Sequence, residues 1–133
     1  MKQTLLQEKY PILDLEIPKV ETTLDSVGAI IGYLKHCIEA HPVARYIATF
    51  DHYDHTASLD DGEIAETILA AQNIVFCFGT KLPSAHVMAV RPRSIGVTEI
   101  ADRFIISFME APMPMANQAM EEWVKTIPDK QDD

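Results

Sequence analysis

The sequence predicts an α+β protein, a two-layer sandwich in which a mostly antiparallel sheet carries helices on one face, in the order β-α-β-α-β-β-β-β-α. Three observations lead there. Several strand-like segments are joined by turns too short for a crossover, so their neighbours must run antiparallel. The first and last helical segments repeat apolar residues at three- and four-residue steps, the stripe of a helix lying on a core. Finally, 133 residues with 47% hydrophobic content suffice for one core without metal or disulfide support.

The elements follow in chain order. Pro11 to Pro18 is the clearest strand, with Leu13, Leu15 and Ile17 alternating with Asp14 and Glu16. Its flanking prolines suit an edge position. A helix is expected from about Leu24 to Glu39, capped by Thr22 or Thr23, with Leu24, Val27, Ile31, Leu34 and Ile38 on one side. His41-Pro42 ends it, because a residue before proline is pushed out of the α region. Arg45 to Phe50 reads as a second strand, followed by a loop from Asp51 to Asp60. A short helix is expected from Asp61 to Ala71, with Ser58 and Asp61 spaced as a capping box.

Asn73 to Phe78 is a third strand, apolar on both sides and closed by Gly79. His86 to Val90 and Ser94 to Ile100 read as two strands, or as one long strand bent at Pro92. Arg103 to Met109 is the last strand, entered from a turn at Ala101-Asp102. A helix from about Pro114 to Ile127 closes the domain, with proline in its first turn and Ala116, Met120, Trp123 and Ile127 on one face. One domain is expected over 1–127, with a polar, frayed tail over 128–133.

Composition narrows the partners. Eleven Lys and Arg against 20 Asp and Glu give a net charge of −9. A field of that sign repels phosphate backbones and anionic lipid, so neither nucleic acid nor a membrane surface is an expected partner. Cys37 and Cys77 read as reduced thiols and cannot build a disulfide framework. The N-terminal residues lack a secretory pattern, and the run Thr67 to Thr80 is too short to span a bilayer; a cytoplasmic location is expected. The charge is uneven. Asp51, Asp54, Asp60, Asp61, Glu63 and Glu66 lie together with no cation among them, whereas Lys81, Arg91, Arg93 and Arg103 face only Glu99 and Asp102.

The central strands carry apolar residues on both sides. Ile74, Phe76 and Phe78 oppose Val75 and Cys77; Phe104, Ile106 and Phe108 oppose Ile105 and Met109; Val87 and Ala89 oppose Met88 and Val90. Helices cover only one face, and an antiparallel sheet with a wet second face should alternate apolar with polar. A few hundred Å² of apolar surface left in water forgoes several kcal/mol at about 25 cal/mol per Å². The sequence therefore predicts a homodimer packed through the second face, with cover from within the chain or a ligand cavity as the alternatives.

Two polar clusters are candidates for chemistry. Arg91, Arg93 and Ser94 offer two guanidiniums around a rigid proline and a hydroxyl, a set able to hold a small carboxylate or phosphate. Against this, Arg91 and Arg93 have Glu99, Asp102 or the acidic 51–66 segment as ordinary pairing partners. Asp51, His52, Asp54 and His55 contain metal-ligand types in close sequence, and a metal-dependent enzyme built on them is the alternative function. In an extended segment His52 and His55 point to opposite faces; only a helical turn brings them together. A solvated loop whose Asp and His groups cap backbone is the simpler account. No cofactor signature occurs.

Phe50 to Tyr53, Asn73 to Gly79, Arg91 to Val97 and Phe104 to Pro112 resemble segments of a family of small uncharacterised bacterial proteins, a domain of unknown function. The resemblance covers nearly the whole chain and implies no catalytic residues. The expected function is that of a cytoplasmic homodimer able to bind a small anionic molecule near Arg91 and Arg93.

Overall fold

The computed structural model describes residues 1–129. Its elements are β1 (Lys2–Leu6), β2 (Tyr10–Pro18), α1 (Val27–Ala40), β3 (Arg45–Asp51), α2 (His52–Ala57), β4 (Ala70–Cys77), β5 (Arg93–Glu99), β6 (Arg103–Met109) and α3 (Pro114–Lys125). The strands form one six-stranded antiparallel sheet in the order β1-β2-β6-β5-β4-β3. The two long helices, α1 and α3, bury their stripes on one face, the expected two-layer α+β sandwich.

Register decides which residues meet. Leu13, Leu15 and Ile17 pair with Phe108, Ile106 and Phe104; Val97 pairs with Ile106, and Ile74 with Ile95. Paired residues in antiparallel strands share a face, so these apolar rows form one continuous surface. Val27, Ile30, Leu34 and Ile38 of α1 and Ala116, Met120 and Trp123 of α3 close over it. Phe78 stacks on Trp123 with ring centroids 5.7 Å apart, and Phe76 meets the same indole edge-on.

Several expected elements moved, each for a physical reason. β1 precedes β2, so the Pro11–Pro18 strand is not an edge. Its hairpin turns through Gln7 and Glu8 at φ 52° and 61°, left-handed values usually held by Asn or Gly. α1 starts at Val27 because the Ser26 hydroxyl accepts from the Ala29 N–H at 3.0 Å. Thr22 instead donates to the Ile127 carbonyl at 2.9 Å and ties this segment to the end of α3.

The loop expected over 51–60 contains α2, whose cap is Asp51 accepting from the Asp54 N–H at 2.9 Å. The helix expected over 61–71 does not form. Ser58 donates to the His55 carbonyl and so finishes α2 rather than capping a new helix. Gly62 lies against that helix end, where an added Cβ would sit 2.0 Å from the Thr56 carbonyl oxygen. The expected strand over 86–90 is a 3-10 turn, Ala85–Ala89. β4 ends at Cys77, and the β4–β5 register closes at Phe76 opposite Arg93, which leaves that stretch no strand to pair with.

α3 begins at Pro114 without a capping side chain from Met113. Asn117 braces it, accepting from the Ala111 N–H at 2.7 Å and donating to the Ala111 carbonyl at 2.8 Å. Of the expected polar tail, residues 130–133 lie outside the described residues. Asp129 is held by Glu21 and Thr23, so the tail's start is anchored.

The second face is mixed rather than uniformly apolar. Val75, Cys77, Ile105 and Met109 lie there as the alternation required. Between them the register sets a polar row, Lys2, Asp14, Ser107, Gly96 and Asn73, in which Ser107 donates to the Asp14 carboxylate. Such a face sits in water at lower cost than an unbroken apolar one.

Candidate functional site

The open end of the core layer lies where β4 runs out. Phe78 continues the buried row one residue beyond β4, and the chain then leaves through Gly79 into the long connection to β5. That connection returns over the sheet end with its 3-10 turn and re-enters at Arg93. Together with the residues leading into α3 it lines a half-open cavity of about 220 Å³. Phe78, Val87, Val90, Ala111, Met113 and Ala116 supply apolar walls, and Arg91 and Arg93 supply two guanidiniums.

Each arginine is positioned by the local chain. Arg93 stands opposite Phe76 and therefore on the core face. Its Nη1 donates to the Val90 carbonyl at 3.3 Å and its Nη2 to the Met109 carbonyl, while its Nε is buried without a hydrogen-bond partner. Burial pushes the Arg93 guanidinium below its ordinary pKa, and no neighbouring carboxylate offsets that push. Arg91 precedes Pro92 and lays its guanidinium across Gly79. A Cβ added at Gly79 would lie 2.5 Å from Arg91 Nη1, so only glycine leaves room for the cation there. Nη1 of Arg91 donates to the Lys81 carbonyl.

The pairing expected for these two cations is absent among the described residues. Glu99 pairs with Lys19 at 2.6 Å, and Asp102 pairs with Arg103 at 3.1 Å. Arg103 also reaches Glu16 at 3.0 Å. Asp51 spends one carboxylate oxygen on the α2 cap and turns the other to the Gln72 amide at 3.4 Å. Among the described residues, Arg91 and Arg93 thus have backbone carbonyls for partners and no carboxylate. Ser94, the third member of the expected set, is exposed on the opposite face, level with Val75, and does not line the cavity. The apolar walls contributed by Val87, Ala111 and Met113 were missed in sequence, because they come from the 3-10 turn and from the approach to α3.

The second cluster is also partly assembled. α2 supplies the helical turn that His52 and His55 need, and their ring centroids stand 6.3 Å apart, each 5.2 Å from the Phe50 ring. His52 Nδ1 lies 3.2 Å from the Asn73 amide oxygen. Asp51 faces the cap and Gln72 instead. Among the described residues no group of three His, Cys, Asp or Glu side chains is arranged to hold a metal ion.

Cys37 is half-buried in α1 beside Tyr33, and burial pushes its thiol above the ordinary range. That is the behaviour of a packing residue, not of an activated nucleophile. No helix among the described residues is long and apolar enough to cross a membrane.

No curated protein and no solved structure shows significant similarity to the chain. A family model does match, over residues 1–129, and the chain belongs to that family, a family of unknown function (DUF6858).

Proposed function

We propose that this chain is a cytoplasmic binding protein that takes a small anionic molecule between Arg91 and Arg93 and works as a homodimer. One observation carries the anion reading. In a chain with 20 acidic residues, the two guanidiniums lining this cavity have no carboxylate partner among the described residues. A partly desolvated cation without a counter-charge is held at a cost, and an incoming anion offsets it. The buried, unpartnered Nε of Arg93 is a donor in want of an acceptor.

Thermal-shift measurements with small carboxylates and phosphates test this reading. Stabilisation by at least one anion, abolished in Arg93→Ala, is the expected result; no shift with any anion ends it.

The homodimer draws its support from the rear of the same sheet end. Leu82, Met88 and Ile47 are 71%, 61% and 53% exposed and surround Cys77 in one apolar hollow. A second copy is the occupant available to every molecule of the protein. Light scattering at micromolar concentration should give twice the chain mass, and a monomer removes this part of the reading. A metal-dependent enzyme at His52 and His55 has one favouring feature, the approach of the two rings across α2. Stoichiometric metal in tag-free protein, lost in His52→Ala, is the result that supports it.

A further inference from the structure

We infer that the anion is a monocarboxylate with an apolar body about the size of one aromatic ring, an inference that rests on the anion reading above. Three features of the cavity narrow the class. The first is donor placement. Arg93 spends one N–H each of Nη1 and Nη2 on the Val90 and Met109 carbonyls, and Arg91 spends one N–H of Nη1 on the Lys81 carbonyl, so both guanidiniums keep further N–H groups at one end of the cavity. Those donors, gathered at one end, can serve the two oxygens of one carboxylate. A phosphate would turn its further charged oxygens toward the apolar walls, away from the guanidiniums.

The second feature is the wall. Apart from the two guanidiniums and the Cys77 thiol, every side chain that lines the cavity among the described residues is apolar. A hydroxyl, an amide or a second carboxylate on the ligand would be buried there without a partner, and that disfavours sugars, dicarboxylates and amino acids. The third is size. An apolar cavity of about 150 Å³ accepts one benzene, so about 220 Å³ holds a ring together with its carboxylate. The charge is then read at the Arg91–Arg93 side and the ring packs toward Phe78, Val87 and Met113.

Calorimetric titration of the full chain with benzoate, acetate, succinate, inorganic phosphate and uncharged benzamide tests the class. Benzoate is expected to bind at least about tenfold more tightly than any of the others. Arg91→Ala and Arg93→Ala should each weaken benzoate by about tenfold or more. Val87→Trp, on the surface turn, should fill the cavity and lose benzoate while acetate binding persists. Succinate or phosphate binding as tightly as benzoate, still dependent on the arginines, overturns the monocarboxylate class and leaves the anion reading standing. Benzamide equal to benzoate, or benzoate indifferent to both arginine substitutions, overturns both. Arg91 is anchored only to a loop carbonyl, so its alanine variant reports on binding even where loss of Arg93 perturbs folding.

Discussion

The two ends of β5 treat charge in opposite ways. At the Glu99 end, Lys19 and Arg103 are ion-paired with Glu99, Asp102 and Glu16 at 2.6 to 3.1 Å, and the Lys19 ammonium also lies over the Phe104 ring. At the Arg93 end, two guanidiniums line a cavity and, among the described residues, rest on backbone carbonyls alone. The same strand therefore carries a closed electrostatic end and an open one. In a chain with a large acidic excess, carboxylates for Arg91 and Arg93 were plentiful. Glu99 and Asp102 pair with Lys19 and Arg103 instead, which supports the proposed anion at the open end.

The aromatic residues beneath each end should show the largest difference. Phe104 and Phe78 are both buried, and truncation of either to Ala should cost about 3–5 kcal/mol in urea unfolding. Only Phe78→Ala removes a cavity wall, so only that variant should also alter benzoate affinity. Equal effects on affinity would mean that the two ends are not distinct.

A smaller effect concerns ligand and glycine. At benzoate one hundred times its dissociation constant, unfolding should require about 2.7 kcal/mol more. Gly79→Ala displaces the Arg91 guanidinium without touching the core, and most of that gain should vanish while the unliganded stability hardly moves. Retention of the full gain in Gly79→Ala would show that Arg91 is a bystander.

The smallest effects separate the ends by sign. Lys19→Met leaves Glu99 half-buried without its cation and should cost about 1 kcal/mol, the figure held down by solvent screening. Arg93→Met removes a cation that has no counter-charge. The relief of desolvation should offset the lost bonds to Val90 and Met109, for a net change within about 0.5 kcal/mol. A loss of about 3 kcal/mol for Arg93→Met would indicate a hidden carboxylate partner.

Much of this architecture is written in local sequence. The alternation of Leu13, Leu15 and Ile17, the stripe of Val27, Ile31, Leu34 and Ile38, and the short Ala101-Asp102 turn are each specified within a few residues, and each formed. The misplaced elements depend on partners far along the chain or on unusual backbone. Gln7 and Glu8 turn a hairpin in a conformation their side chains do not advertise. Asp51 ends a strand and caps a helix at once, which hid α2. The 3-10 turn at 85–89 has the composition of a strand but no neighbour to pair with.

The site divides the same way. Arg91 and Arg93 stand out in sequence as paired cations around a proline. That they stay unpaired depends on register, which sets Glu99 opposite Phe104 and within reach of Lys19, and on the hairpin that joins Asp102 to Arg103. Likewise, Ser94 is adjacent to Arg93 in sequence but on the opposite face, because strand side chains alternate.

A crystal of the protein grown with 4-bromobenzoate tests the open end most directly, because the bromine reports its own position by anomalous scattering. One strong peak is expected among Phe78, Val87 and Met113, with the carboxylate between Arg91 and Arg93. A peak elsewhere on the molecule, with both guanidiniums still bonded only to carbonyls, would contradict it.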